Sequence, residues 1–468
     1  MTSYKDKIQI SVAGEELSAS IVTNDIANNF FAHRRSGRMA LFLFGLIFLA
    51  GIVAFITKAM DGFDSSQRAN WGYFAALFAF LLSAAGSAPL VAVGFRMTAN
   101  HWRRPFARIS EIYAVVGLLT IVCLMPLLAL LPPIGDCSSG PCRKTLWFTS
   151  EYWGVPTFWD FAGLLALVVC GIALLLVSAL PDIAQISALS ESKSRPLLSK
   201  LTKFWTGTQS QWHIHRISLS LLGGFYFILL IGVQTIINVD YVMSLVPGWK
   251  DSILPAHQAL TGIQAGVASV VIVAFIARTF GGYKKYFPME SFWSISKILL
   301  ALSLLWAYFW FAEVNTLWYG RMPVEQNILK LVMFESYRLP FALNFSMNFL
   351  LPFFILLWNP IRKSVIGPTV ASILIVVGSF FMMVRLYVPA FGIQDVTAFQ
   401  ITYVPAAIYP DFLDLIMIAG GISGAVFIYL LSTRIIPILS LWEVKEGLLY
   451  QRVRPFLRGE YQVLGKPK

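Results

Sequence analysis

Charge is scarce in this chain. Asp, Glu, Lys and Arg make up 13% of 468 residues, against 57% hydrophobic. That balance excludes an ordinary soluble fold, because one core cannot bury so much apolar surface. Histidine and cysteine are also few, five and four. Five histidines argue against a cytochrome b, which needs paired axial ligands. His213 and His215 stand two apart and do not share a helix face, so bis-histidine haem ligation is unsupported. Cys123, Cys137, Cys142 and Cys170 are too scattered to hold an iron–sulfur cluster or a structural zinc. There is no Walker-type phosphate loop, no dinucleotide fingerprint and no metalloprotease motif. A polar stretch of about thirty residues precedes the first apolar run, so no cleavable signal peptide is expected.

Long apolar runs are what the chain has. Ten can be drawn, at roughly 39–60, 70–95, 110–131, 157–181, 216–238, 256–280, 291–318, 336–360, 364–387 and 411–437. Each is long enough for a hydrocarbon core of about 30 Å. The expected fold is therefore all-α and polytopic, with about ten transmembrane helices. It divides into an N-terminal tail (1–38), a transmembrane domain (39–437) and a C-terminal tail (438–468). An even count puts both tails on one side. Net charge is +12, and the basic residues fall in short loops rather than in one patch, so nucleic acid is not an expected partner. Lys and Arg on the tail side outnumber those on the other by almost three to one, which places both termini in the cytoplasm.

Ionisable residues inside a membrane are functional candidates by default. The stretch 153–183, WGVPTFWDFAGLLALVVCGIALLLVSALPDI, carries Asp160 just inside the outer end of the fourth segment. His257, Glu313, Arg338, Arg385 and Asp414 fall at the outer ends of five other segments. Acid and base groups beside an apolar pocket are what quinol oxidation needs, because the quinol releases two protons as its electrons leave. The alternative is a set of interface anchors, or Arg–carboxylate pairs that hold helices together. On the inner side, Glu111, His215 and Lys297 are candidates for the cytoplasmic end of a proton path. The alternative there is a solvated basic rim, with Lys297 snorkelling to the interface.

The third loop, DCSSGPCRK, holds Cys137 and Cys142 on the expected outer side, where a disulfide would persist; two free thiols are the alternative. The fifth loop, NVDYVMSLVPGWKDSILPAHQ, is unusually apolar. Either a partner protein covers it or it packs on its own bundle. Gly86, Gly421 and Gly424 read as close helix-packing points.

Several stretches together resemble the NrfD/PsrC-type membrane subunit of polysulfide-reductase-like enzymes. They are WGYFAALFAFLLSAAGSAPLV (71–91), RRPFARISEIYAVVGLL (103–119), TFWDFAGLLALVVCGIALLLVSALPDIA (157–184), NVDYVMSLVPGWKDSILP (238–255) and FWSISKILLALSLLWAYFWFAE (292–313). The branch most similar is the ten-helix form of alternative complex III. The resemblance implies two four-helix bundles, segments 2–5 and 6–9, with segments 1 and 10 flanking them. It implies no cofactor and no metal in this chain. It implies an iron–sulfur subunit and a molybdoenzyme-type subunit on the outer face, other membrane subunits, and exchange of electrons with menaquinone or ubiquinone. The setting is the inner membrane of a prokaryotic cell. Asp160 falls on the carboxylate that the family places beside the quinone, and Glu313, Arg385 and Asp414 match polar family positions. The third segment departs from the pattern: CLMPLLALLPP keeps Pro126 but has Ala129 where quinol-oxidising members place a histidine. His257 is the candidate replacement. A quinone-free proton path or structural anchor of such a complex is therefore the second reading. A secondary transporter is the third, disfavoured because the charges sit at the outer edge rather than at mid-membrane.

Overall fold

The computed structural model describes residues 11–12, 15–16, 18–31, 35–132, 157–189, 202, 205–456 and 459–464. Ten helices among them are long and apolar enough to cross a membrane. They are span 1 (Arg35–Asp61), span 2 (Ser65–Met97), span 3 (His101–Leu130), span 4 (Thr157–Ala188) and span 5 (Gln209–Leu245). Then follow span 6 (Leu254–Thr279), span 7 (Met289–Gly320), span 8 (Arg338–Leu357), span 9 (Ile366–Gly392) and span 10 (Phe412–Ser432). This is the helical, multi-pass architecture expected from the apolar runs. The end of the molecule that carries both chain tails is called the tail face below, and the opposite end the far face.

Several span ends fall some residues away from the ends of the apolar runs. Span 3 begins at His101 rather than near 110, because Arg104–Ile112 is an amphipathic helical stretch with every residue buried. Arg103, Arg104 and Arg108, which read as loop charges, are buried there. Span 5 likewise begins at Gln209, capped by the Thr208 hydroxyl, rather than near 216.

Spans 2–5 pack against one another in a ring, and so do spans 6–9. Span 2 joins the two bundles through spans 6 and 9, and 89% of its apolar window is buried. Span 1 is its opposite, 11% buried and exposing Phe42, Leu43, Leu46, Leu49 and Val53. It packs on span 10, the last span, to which it is held by backbone approach. A Cβ on Gly51 would stand 2.6 Å from the Gly420 Cα, so only glycine fits at this crossing. Gly421 and Gly424 also sit in tight contacts, with Leu77 and Phe48, whereas a Cβ on Gly86 would make only ordinary contacts, with Leu82 and Leu230.

Span 8 is interrupted at mid-length by a π-helical turn, Ser346–Leu350, followed by Pro352. Proline has no N–H to give to the carbonyl one turn back. The Gln264 side chain of span 6 donates to that carbonyl, Asn348 O, at 2.8 Å.

The stretches read as tails are folded onto the tail face where they are described. The helix Ala19–Phe31 buries Val22, Ile26 and Phe30, one helical face. Tyr286 donates to its Asp25 at 2.9 Å. The helix Leu441–Tyr450 docks against spans 3 and 4 and runs into an antiparallel hairpin, Gln451–Phe456 with Gly459–Leu464. The fifth loop turns its apolar residues inward: Val242, Leu245, Val246 and Trp249 are all buried by the bundle itself.

Candidate functional site

The far-face ends of spans 6, 7 and 9 bring three ionisable side chains into the interior. His257 lies in the first turn of span 6, whose start is fixed by Asp251: Oδ1 accepts from the N–H of Ile253 at 2.8 Å and of Leu254 at 3.2 Å. The imidazole Nδ1 is hydrogen-bonded to Glu313 Oε2 of span 7 at 2.8 Å, both side chains buried. With Nδ1 engaged, Nε2 is the free ring nitrogen, and it has no hydrogen-bond partner among the described residues. Arg385 of span 9 is fully buried, its guanidinium 5.6 Å from the centroid of the Phe341 ring. None of its side-chain nitrogens finds a hydrogen-bond partner among the described residues. The carboxylate whose field acts on it is Glu313.

Below this cluster the polar groups continue inward. His257, Thr261 and Gln264 follow one another along one face of span 6, spaced at about one helical turn. Thr261 donates to His257 O at 2.8 Å and accepts from Trp306 Nε1 at 3.0 Å. Gln264 donates to Ser303 at 2.9 Å, and Asn348 donates to Gln264 at 3.1 Å and to Ser379 at 3.0 Å. Asn344 donates to Gly378 O at 3.1 Å. Spans 6, 7, 8 and 9 each supply members of this column, and the π turn is what aims Asn348 into it. Neutral amides were not singled out from the sequence. Their signal was present as Gln264, Asn344 and Asn348 inside apolar runs.

The other outer candidates fall elsewhere. Asp160 is buried in the first turn of span 4, in the other bundle, where the helix dipole favours an acid. Asp414 belongs to the pair formed by spans 1 and 10. Lys58 donates to it at 2.6 Å and to Asp411 at 3.0 Å, and Asp411 and Asp414 form a capping box. Arg338 is exposed.

At the tail face, Glu111 lies within a buried network. Arg96 donates to Glu111, to Glu443 at 2.7 Å and to Ser178 at 3.0 Å. Arg108 donates to Asp182 at 2.7 Å and pairs with Glu111 at 3.4 Å. The other Asp182 oxygen accepts from the Trp442 N–H at 2.9 Å. The sequence reading missed Arg96, Arg108 and Glu443 as partners. The signal was the spacing of Arg104, Arg108 and Glu111, which places them along one helix face. His215 is buried beside the network, its Nε2 3.1 Å from Val177 O and its ring among Trp205, Trp212 and Trp442. Lys297 stands apart: it is exposed, with its ammonium 3.9 Å from the centroid of the Trp293 ring.

Cys137 and Cys142 lie outside the described residues, so their pairing is not addressed by this structure. Cys123 and Cys170 are free thiols within spans 3 and 4. Among the described residues, no three His, Cys, Asp or Glu side chains are grouped to hold a metal ion. Chemically, the far-face cluster offers an imidazole, a carboxyl group and a guanidinium in a low-dielectric interior, a set that can take up and relay protons. No family model matches the chain, and no curated protein matches its sequence.

Proposed function

We propose that this chain is the integral membrane subunit of a respiratory oxidoreductase complex of the NrfD/PsrC type. In this reading it exchanges electrons between menaquinone or ubiquinone and an iron–sulfur partner of a molybdoenzyme-type assembly. The far face is then the outer face of a prokaryotic inner membrane, and both tails are cytoplasmic, as the Lys and Arg distribution favours. The chain is not a complete enzyme alone, because its electron carriers reside in partner chains. The observation that carries the reading is the buried hydrogen bond between His257 and Glu313 beside Arg385. Oxidation of a quinol releases protons at the face where the quinol sits. A carboxylate and an imidazole held there in the protein interior are suited to receive them. Asp160, buried at the same face of the other bundle, is the second candidate beside the ring.

The test is quinol-dependent turnover of the complex purified from its native membrane, with subunits identified by mass spectrometry and iron and quinone assayed on the same band. Asp160→Asn and His257→Ala are each expected to lower turnover at least tenfold, about 1.4 kcal/mol of barrier. Full turnover in both variants, or a lone chain without iron, would sink the proposal.

One observation favours the quinone-free reading. The polar column from His257 to Asn348 runs into the membrane interior without an aromatic-sized opening being needed, and Ala129 removes a family hydrogen-bond donor. If the chain only conducts protons, Gln264→Leu should abolish proton translocation while electron transfer continues at the wild-type rate. Equal loss of both would exclude that separation.

A further inference from the structure

Spans 1 and 10 lean unevenly on the rest of the molecule. In their far-face half they press against span 2. Phe55 packs on Trp71 and Phe74 at ring-centroid distances of 5.2 and 5.1 Å, and Gly421 is seated on Leu77. Toward the tail face, Tyr429 reaches across to Tyr113, ring centroids 4.8 Å apart, and donates to Ile109 O at 3.0 Å. Beside this bridge the two units part. A groove of about 560 Å³ opens between spans 1 and 10 on one side and spans 2 and 6 on the other. Small residues make the room: Gly37 and Ala40 on span 1, Ala84 on span 2, Ala277 on span 6 and Ala425 on span 10.

The groove has a definite depth and chemistry. On span 10 it runs from Ile422 to Thr433, and on span 6 from Ser269 to Phe280. Each stretch rises about 16 Å, half of a hydrocarbon core of about 30 Å. The groove is therefore one leaflet deep, from the tail face to the middle of the membrane. Hydroxyls in its walls are already committed: Tyr113 donates to Ser269 O at 3.3 Å and Thr433 to Leu430 O at 2.7 Å. Among the described residues, no acidic or basic side chain lines it. Such an interior suits a flexible hydrocarbon chain and offers little to a polar ligand. Left empty, its walls would lose their dispersion contacts on one side.

The mouth of the groove carries charge of one sign. It is framed by residues 35–38 at the start of span 1, 278–285 at the end of span 6 and 433–438 after span 10. These segments hold Arg35, Arg38, Arg278, Lys284, Lys285 and Arg434 and no acidic residue. Arg434 leans over the opening, with a guanidinium nitrogen 3.2 Å from where a Cβ on Gly37 would stand. Arg38, Lys284 and Lys285 are exposed. Basic side chains at the water edge of an apolar groove between transmembrane helices match the phosphate of an anionic lipid.

We propose that this groove is a binding site for one anionic glycerophospholipid of the tail-face leaflet. An acyl chain lies along Ala84, Ala277 and Ala425, and the phosphate sits at Arg38 and Arg434. The lipid fills the seam between the pair of spans 1 and 10 and the two bundles. The proposal needs only the transmembrane placement of the spans and is independent of the quinone reading.

The test is titration of the purified full chain in mild detergent with dioleoylphosphatidylglycerol and, separately, with dioleoylphosphatidylcholine, bound lipid being read by native mass spectrometry. The wild type is expected to hold one phosphatidylglycerol at least tenfold more tightly than phosphatidylcholine. Arg38→Gln and Arg434→Gln should each weaken phosphatidylglycerol about fivefold and leave phosphatidylcholine unchanged. Ala40→Trp and Ile276→Trp fill the groove from opposite walls and should each remove both lipids. Ile276 is 49% exposed, so its replacement leaves the core intact. Equal affinity of the wild type for the two lipids, or unchanged phosphatidylglycerol binding in both glutamine variants, would overturn the anionic head group. Unchanged binding in both tryptophan variants would overturn the groove. Preferential retention of a long-tailed ubiquinone over phosphatidylglycerol would overturn the phospholipid and give the groove to a quinone tail.

Discussion

The two ends of the molecule treat buried charge differently. At the tail face, Arg96, Arg108, Glu111, Asp182 and Glu443 are interlocked, and every one has a charged partner within ion-pair distance. At the far face, Lys58 pairs with Asp414 and His257 with Glu313, but Arg385, as deeply buried, has no ion pair among the described residues. A charge held in an ion pair keeps its helices in register and has less left to offer a ligand. A charge left partly unpaired stores an interaction that something else must complete. The tail-face network therefore reads as a clamp on its helices, and Arg385 as the far-face charge with an interaction left to complete.

Substitutions can break this contrast. The largest effect is expected from Arg108→Leu, which strands the buried Asp182 carboxylate and leaves Glu111 to Arg96 alone. Loss of one partner of a buried pair costs about 3–5 kcal/mol, to be read as a collapse of the thermal unfolding midpoint in detergent. A midpoint near that of the wild type would show that the network does not hold the bundle. Next comes Glu443→Leu, which frees Arg96 from the C-terminal helix. It should expose Leu441–Tyr450 to limited proteolysis at concentrations of protease that leave the wild type intact. Arg385→Leu should do the reverse of Arg108→Leu. Stability should stay within about 1 kcal/mol, since an unpaired buried guanidinium gives way to an apolar side chain of comparable volume, while quinol turnover falls. Equal loss of stability in the two variants would erase the distinction between the ends.

The smallest effect is expected at Asp411, which is half exposed beside Lys58. Burial alone would raise its carboxyl, but the Asp414 N–H and the Lys58 ammonium outweigh burial and hold it below the ordinary carboxylate range. Its contribution is thus present above the unfolded-state pKa of about 4 and is lost as the pH falls through the lower folded value. For an exposed pair this amounts to roughly 0–1 kcal/mol. Asp411→Asn should flatten the acid limb of the stability curve by no more than that.

The ten spans were legible in the sequence because length and apolar content alone decide whether a helix crosses a membrane. Pairing was not legible. Arg96 meets Glu443 and Lys58 meets Asp414 across almost the whole chain, and no local pattern records such contacts. Arg338 and Arg385 show the limit well. Both are arginines at far-face ends of spans, yet one is exposed and the other fully buried. Position along a helix is readable from hydropathy; rotation about its axis depends on neighbours. The same holds for the charges of Arg104–Ile112, which look like a basic loop until the helix they form is packed against span 4 and the C-terminal helix.

The crossing of Gly51 with Gly420 has a consequence for biogenesis. Span 1 has as its main neighbour span 10, which is translated more than 350 residues later. Span 1 must therefore wait in the lipid, its glycine face uncovered, until nearly the entire chain has been translated, and Lys58 must wait with it for Asp414. A chain that stops short of span 10 would carry an open seam and an unmatched lysine, features by which membrane quality control can tell an unfinished molecule from a finished one.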